Sequence, residues 1–498
     1  MSRPNIVVFI PDQLRYDALG CSGNPVASTP NIDALAARGT RFANAFGQHP
    51  FCSQSRVSFL TGWYPHVHGH RTLTQLIKPW HPDSLGLLKA SGYHVAHAGI
   101  RGDTYAPGGT KASTSRFGWT EMPEALYSRS PYGPDHRFGR AFYHGQRPEP
   151  LVDMDEATVR TALAWLAEGL PEPWVLYVPL VFPHPPFEVA DPWYSLHDRA
   201  DVPLPVAPPT STDGEPVFKR EIRARYGLDR LDEAEWRELV ATYYGMVSRV
   251  DDMLGRVLGG VAAAGAEDRT AVLFFPDHGE YLGDHGLIEK WVSGQDECLL
   301  HNPLIVHVPG GREGQVAEGM AELIDVAPTL LELGEVDVPH RQFGRSLVHL
   351  AHDATADHRD IACSDGGLAL EDASSSGPQP FPYDLKHGLE REVPLTAGKV
   401  STLRTDRWTY VHRSHEGPEL YDRIADPHET RNLAGDDAHA AVADELRGRL
   451  LSWLVETADV IGPTDPRNDL DGAQLPDAAW ELFARLLPKE YFSKADDD

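Results

Sequence analysis

Three short hydrophobic runs punctuate the chain, and each ends in the same way. Asn5–Ile10 (NIVVFI) gives way to Pro-Asp, Trp174–Phe182 (WVLYVPLVF) to Pro-His, and Thr270–Phe275 (TAVLFF) to Pro-Asp-His. Unbroken β-branched and aromatic runs of this length read as strands buried on both faces, as in the middle of a parallel sheet. Segments with helical spacing lie between them. Asn31–Arg41 carries Ile32, Leu35 and Ala36, and Glu233–Leu258 carries an apolar stripe from Leu239 and Val240 through Val250 to Val257. Strands alternating with such helices predict an α/β sandwich around a mixed, mostly parallel sheet.

After about residue 345 the pattern changes. Lys399–Val411 (KVSTLRTDRWTYV) alternates polar and apolar residues as an antiparallel strand pair does, and the turn-rich ELYDRIADPHETRNLA follows. Helices are expected near 437–457 and 476–487. The stretch 364–396 is rich in Ser, Gly and Pro and reads as a long loop. The expected organisation is a large α/β domain over residues 1–345 and a smaller α+β domain with an antiparallel sheet over 346–498.

Open α/β sheets bind ligands beyond the carboxyl ends of their strands. Asp12, His184, Asp277 and His278, which end the three runs, are therefore expected to converge on one crevice. In Pro50–Gly69 (PFCSQSRVSFLTGWYPHVHG), Cys52 precedes a predicted helix over Ser53–Leu60, and Arg56, four positions on, shares its face. A helix N-terminus favours anions. Taken alone, Cys52 reads as an inert buried thiol, since free Cys is among the most buried residue types.

The charge narrows the function. Across 498 residues, 45 Lys+Arg face 73 Asp+Glu, a formal net charge of −28. General nucleic-acid binding and an anionic membrane surface are thereby excluded, because both need an excess of cations. The four Cys (21, 52, 298 and 363) lie far apart and form no C-x-x-C pair, so neither a disulfide scaffold nor a structural zinc site is expected. Cys21, Cys298 and Cys363 read as ordinary thiols. No apolar run approaches the roughly 20 residues that span a bilayer, and NIVVFI is too short for a signal-peptide core. The expectation is a soluble, cytoplasmic protein.

The segments NIVVFIPDQLRYDALG, TPNIDALAARGTRFANAF, CSQSRVSFLTGWYPHVHG, FPDHGEYLGDHGLIEK, LIDVAPTLLELG and ELYDRIADPHETRNLA resemble, in order and over nearly the whole chain, the landmark segments of the sulfatase family of the alkaline-phosphatase superfamily. The resemblance implies a hydrolase that cleaves a small sulfate ester. In it Cys52, in a C-x-P-x-R-like motif with Gln54 at the middle position, is oxidised to formylglycine by a formylglycine-generating enzyme. The hydrated aldehyde is the nucleophile and Arg56 its electrostatic partner. One divalent metal ion, Ca²⁺ or Mn²⁺, is implied on Asp12, Gln13, residue 52, Asp277 and His278. His184 corresponds to a contact of the ester oxygens and Lys290 to a holder of the leaving group. Arg101, in GIRGD, stands in for a family Lys, and His70, Arg71 and Asp103 are candidate substrate contacts.

Two alternatives stay open. Asp12-Gln13 and Asp277-His278 resemble the phosphonate monoester hydrolase and choline-sulfatase branches, which keeps a phosphonate monoester or phosphate diester as substrate. Gln54 and GIRGD keep a noncatalytic anion-binding protein with unmodified Cys52. The 364–396 loop and the C-terminal extension are candidate contacts in a homo-oligomer.

Overall fold

The computed structural model describes residues 3–124, 130–148, 152–209, 214–373, 379–458 and 460. In chain order the strands are β1 Asn5–Ile10, β2 Thr40–Phe46, β3 His94–Ala98, β4 Arg116–Gly118, β5 Tyr143–Gln146, β6 Trp174–Pro179, β7 Phe187–Val189, β8 Thr270–Phe274, β9 Leu304–His307, β10 Gln315–Glu322, β11 Ala362–Gly366, β12 Val400–Arg404, β13 Trp408–Arg413 and β14 Glu419–Asp422. Eight of them form one mixed sheet in the order β10-β2-β9-β8-β1-β6-β3-β4. β1 runs parallel to both β6 and β8, and β9 alone is antiparallel, to β2 and β8.

The three hydrophobic runs are thus neighbours, β8-β1-β6, at the middle of the sheet. Every residue of all three strands is buried. Alternate residues of β1 serve opposite faces. Val7 and Phe9 pack with the helices Met154–Glu168 and Glu233–Ala263, whereas Ile6, Val8 and Ile10 pack with Cys52–Thr61, Ser84–Ala90 and Val326–Leu333. The β6 run leaves the sheet earlier than its sequence suggests. The amides of Val181 and Phe182 donate to the two oxygens of the buried Asp155, each at 2.7 Å, instead of to a strand.

Strands β11-β12-β13-β14 make a second sheet, antiparallel throughout. Its core, with Leu403, Tyr410 and Leu420, packs under Leu446, Leu450 and Trp453 of the helix Ala440–Thr457 and takes in Tyr64 and Ile324. Both sheets belong to one compact unit that runs to residue 460.

The stretch 364–396 is not one long loop. It holds the end of β11 and a helix, Asp384–Glu392, seated on the fully buried Leu389. The Ser/Gly/Pro bias of its middle masked the helical spacing of Leu385 and Leu389. The residues of YPHVHGHRT form turns, the Val67 and His70 amides donating to the Tyr64 and Pro65 carbonyls. The helix expected at 476–487 lies outside the described residues. Among the described residues no helix is long and apolar enough to cross a membrane.

Phe9 is fully buried at the sheet centre, its ring stacked 6.1 Å from that of Phe274. Phe9→Ala is expected to cost about 3–5 kcal/mol, the usual loss for a large buried aromatic, read as a lower midpoint of urea unfolding. An unchanged midpoint would contradict its place in the core.

Candidate active site

Asp12 lies just past β1, and Asp277 and His278 lie just past β8. Cys52 opens a ten-residue helix that is buried at every position. Adjacent parallel strands end level with one another, so these side chains meet. One ligand atom from each of Asp12, Cys52, Asp277 and His278 falls within 4.8 Å of all the others, and each residue is buried. Cys52 Sγ is 3.2 Å from His278 Nε2 and 3.6 Å from Asp12 Oδ1.

This donor set fits a divalent cation. His278 Nδ1 donates to the Gly279 carbonyl at 2.9 Å, which fixes the tautomer and leaves the Nε2 lone pair facing Asp12 Oδ1 (3.7 Å) and Asp277 Oδ1 (3.8 Å). Burial keeps the imidazole below its ordinary pKa, hence neutral and able to ligate. Two carboxylates and one imidazole suit oxygen-seeking metals with some tolerance for nitrogen.

Two guanidiniums offset the carboxylates. Arg56 Nη2 reaches Asp277 at 2.8 Å and Asp12 at 3.3 Å, and its Nε is 3.4 Å from Asp103. Arg101 Nη2 pairs with Asp12 at 2.5 Å and with Asp103 at 2.8 Å, while its Nη1 donates to the Leu180 carbonyl. Burial opposes ionisation of Asp12, but the Arg101 and Arg56 guanidiniums outweigh it and hold the carboxyl well below its usual range. Burial is likewise overridden at Asp103, which Arg101 and Arg56 draw down to about 2. Asp103, expected as a substrate contact, is therefore the strut between two arginines. Arg56 keeps one buried nitrogen, Nη1, without a protein partner among the described residues.

The thiol of Cys52 behaves oppositely to a simple helix-dipole argument. Burial and then Asp12 push its pKa well above the ordinary value, against the pull of Lys290. An unmodified Cys52 is thus held as a thiol, a weak nucleophile.

A cavity of about 910 Å³ opens over Cys52, lined among others by Gln54, Arg71, His184, Lys290 and Lys386. Lys290 Nζ donates to Gln13 Oε1 at 2.6 Å and pairs with Glu289 at 2.7 Å. The Gln13 amide, expected on the metal, is instead held between Lys290 and Glu280, and its backbone N–H donates to Asp277 at 3.1 Å. His184 Nδ1 is turned to the Pro185 carbonyl at 2.6 Å, and burial, aided by Lys290, brings its pKa down to about 3. The imidazole is therefore neutral at physiological pH. Arg71 reaches the cavity, but His70 does not join it, its Nδ1 donating to the Gln75 carbonyl at 2.5 Å.

Sequence reasoning missed Glu289, Tyr383 and Lys386 in the cavity wall. The signal for the last two was the Leu385/Leu389 spacing inside the apparent loop.

Comparison with known proteins agrees with this geometry. The sulfatase family profile matches residues 4–336. A multifunctional alkaline phosphatase superfamily protein, PehA, of Trinickia caryophylli is 30% identical over 92% of this chain and 96% of its own. An ulvan-active sulfatase of Formosa agariphila is 28% identical over 92% and 82%. Among solved structures, a phosphonate monoester hydrolase from Silicibacter pomeroyi superposes with a TM-score of 0.71 at 25% identity, covering 92% of this chain and 96% of that one. With two thirds of its length matched by the family profile and its strand-end residues gathered as described, the chain belongs to the sulfatase family of hydrolases.

Proposed function

We propose that the chain hydrolyses a sulfate monoester to an alcohol or phenol and sulfate, with residue 52 as formylglycine and one divalent cation held by Asp12, Asp277, His278 and residue 52. The supporting observation is the position of the residue-52 side chain, 3.2 Å from His278 Nε2 and 3.6 Å from Asp12 Oδ1, as itself a member of the donor cluster. A bound cation would supply charge that acidifies a hydroxyl on residue 52 and offsets charge on the ester oxygens; the formylglycine hydrate would supply that hydroxyl, which takes up the sulfuryl group as the alcohol leaves, and a second one whose loss of a proton re-forms the aldehyde as the C–O bond to sulfate breaks.

The rest is the work of the chain. Arg56 fixes the Asp12 and Asp277 carboxylates. Neutral His184 lines the ester side, where it can hydrogen-bond an oxygen without adding charge. Lys290, which burial would discharge but Glu289 keeps firmly protonated, lies across the cavity and stabilises the departing oxygen.

A second reading, phosphonate monoester or phosphate diester hydrolysis, has specific support. Position 13 is an amide bonded to Lys290 and not a carboxylate. The similar solved structures also include the phosphonate monoester hydrolase. Each of these esters presents a singly charged tetrahedral centre, so one clamp serves all three.

Nitrophenyl sulfate and a nitrophenyl phosphonate ester, assayed on one purified sample, separate the readings. Measurable sulfate turnover is expected, and a preference of several orders for the phosphonate would install the second. Peptide mass spectrometry across residues 50–60, on protein made with a converting enzyme, is expected to find the aldehyde. An intact, alkylatable thiol would leave a noncatalytic anion-binding protein.

Metal content gives an independent check. His278→Ala is expected to weaken cation binding by more than the ~10–100-fold that loss of an outer hydrogen-bond partner costs. Gly279→Ala should fall within that range, because its Cβ would stand 2.0 Å from the Cys298 carbonyl oxygen and displace the His278 turn. Calorimetric titration with Mn²⁺ or Ca²⁺ reads both, and wild-type affinity in His278→Ala would remove His278 from the site.

A further inference from the structure

One buried carboxylate beside the nucleophile serves two ammonium groups. Glu289 Oε1 is 2.7 Å from Lys290 Nζ, and its Oε2 is 2.7 Å from Lys386 Nζ. Lys386 also donates to the Lys290 carbonyl at 2.8 Å. All three side chains are nearly inaccessible, at 5% for Lys290, 3% for Glu289 and 7% for Lys386, and all border the cavity that contains Cys52. Glu289 is held in the left-handed region at φ +63°, with its N–H donated to the buried Glu280 carboxyl. A non-glycine residue in that conformation is sustained only where its surroundings enforce it.

Lys386 arrives from far along the chain. Its helix, Asp384–Glu392, is pinned by Leu389 in the main core and by Arg140 on Asp384 at 2.5 and 3.1 Å. Its ammonium lies 4.4 Å from the centre of the Phe51 ring, the residue before the nucleophile.

The charge arithmetic gives this contact a purpose. A single lysine on Glu289 would make a neutral pair, drawing its ammonium toward the carboxylate and away from substrate. With two, the carboxylate is shared and its pull on the Lys290 ammonium is divided. We propose that Lys386 is a positioning residue of the reaction, which through Glu289 and the Lys290 carbonyl holds the Lys290 ammonium aimed at the leaving-group oxygen. This inference rests on the assignment of Lys290 to the leaving-group side.

The dependence on leaving group tests it, since an aryl oxide that is already stable needs little help and a poorer one needs more. Formylglycine-bearing wild type, Lys386→Met, Lys386→Arg, Glu289→Gln and Lys290→Ala are compared on nitrophenyl and phenyl esters of whichever acid the enzyme turns over. Lys386→Met is expected to lose about 100-fold in kcat on the phenyl ester and less than about threefold on the nitrophenyl ester, with KM little changed. Lys386→Arg, whose fork can span Glu289 and the Lys290 carbonyl, restores most of the loss. An equal loss on both esters in Lys386→Met, while Lys290→Ala discriminates between them, overturns the proposal. Lys290→Ala without discrimination overturns the underlying assignment and this inference with it. If Lys386→Met does not fold, Lys386→Gln, which keeps a donor for the Lys290 carbonyl but no charge, carries the same comparison.

Discussion

Two carboxylates buried side by side at the ends of neighbouring strands are the constraint from which the rest of the site follows. Asp12 and Asp277 have no exposure, and each is linked to Arg56, which has none either. A buried charge deprived of its partner costs several kcal/mol, roughly 3–5 for a broken buried pair. The fold meets that demand from three directions. Arg56 comes from the helix that begins at Cys52, Arg101 from the turn after β3, and Asp103 braces both guanidiniums. The same balance that stabilises the anions leaves their remaining oxygens facing His278 and residue 52.

The middle of the sheet was legible because burial on both faces leaves a plain signature: continuous apolar runs that stop at Pro and a functional residue. That pattern identified β1, β6 and β8, and the rule for strand ends brought Asp12, Asp277 and His278 together before any contact was known. It could not reveal competition among polar partners. Gln13 is chemically able to ligate a metal, yet in the structure a buried ammonium and a buried carboxyl occupy its amide. His70 looked like a substrate contact by proximity in sequence, but a tight turn directs it to the Gln75 carbonyl. The cavity wall was least legible. Lys386 reaches the cavity over residue 52 only because a helix more than 300 residues away in sequence folds over Phe51. No local pattern encodes such an approach.

The global charge sharpens the role of these local cations. A chain with net charge −28 repels an anionic ester at long range. Inside a Debye length of about 8 Å at physiological salt the near field decides, and there Arg71, Lys290 and Lys386 line one cavity. Discrimination therefore lies in the pocket and not in the encounter. Neutral His184 fits the same logic: a further positive charge in the cavity would favour dianions, and burial removes it.

Gln54, the departure from the sulfatase motif, has a structural reason that separates it from the chemistry. Residues 52 and 56 share a helical face, and position 54, two residues from each, points elsewhere. Its Nε2 donates to the Arg71 carbonyl at 2.9 Å, tying the segment that carries Arg71 into the cavity. A proline there offers no side-chain donor, so the tether belongs to this variant of the motif. The change thus falls on the substrate wall, while Cys52 and Arg56 keep their contacts with Asp12, Asp277 and His278.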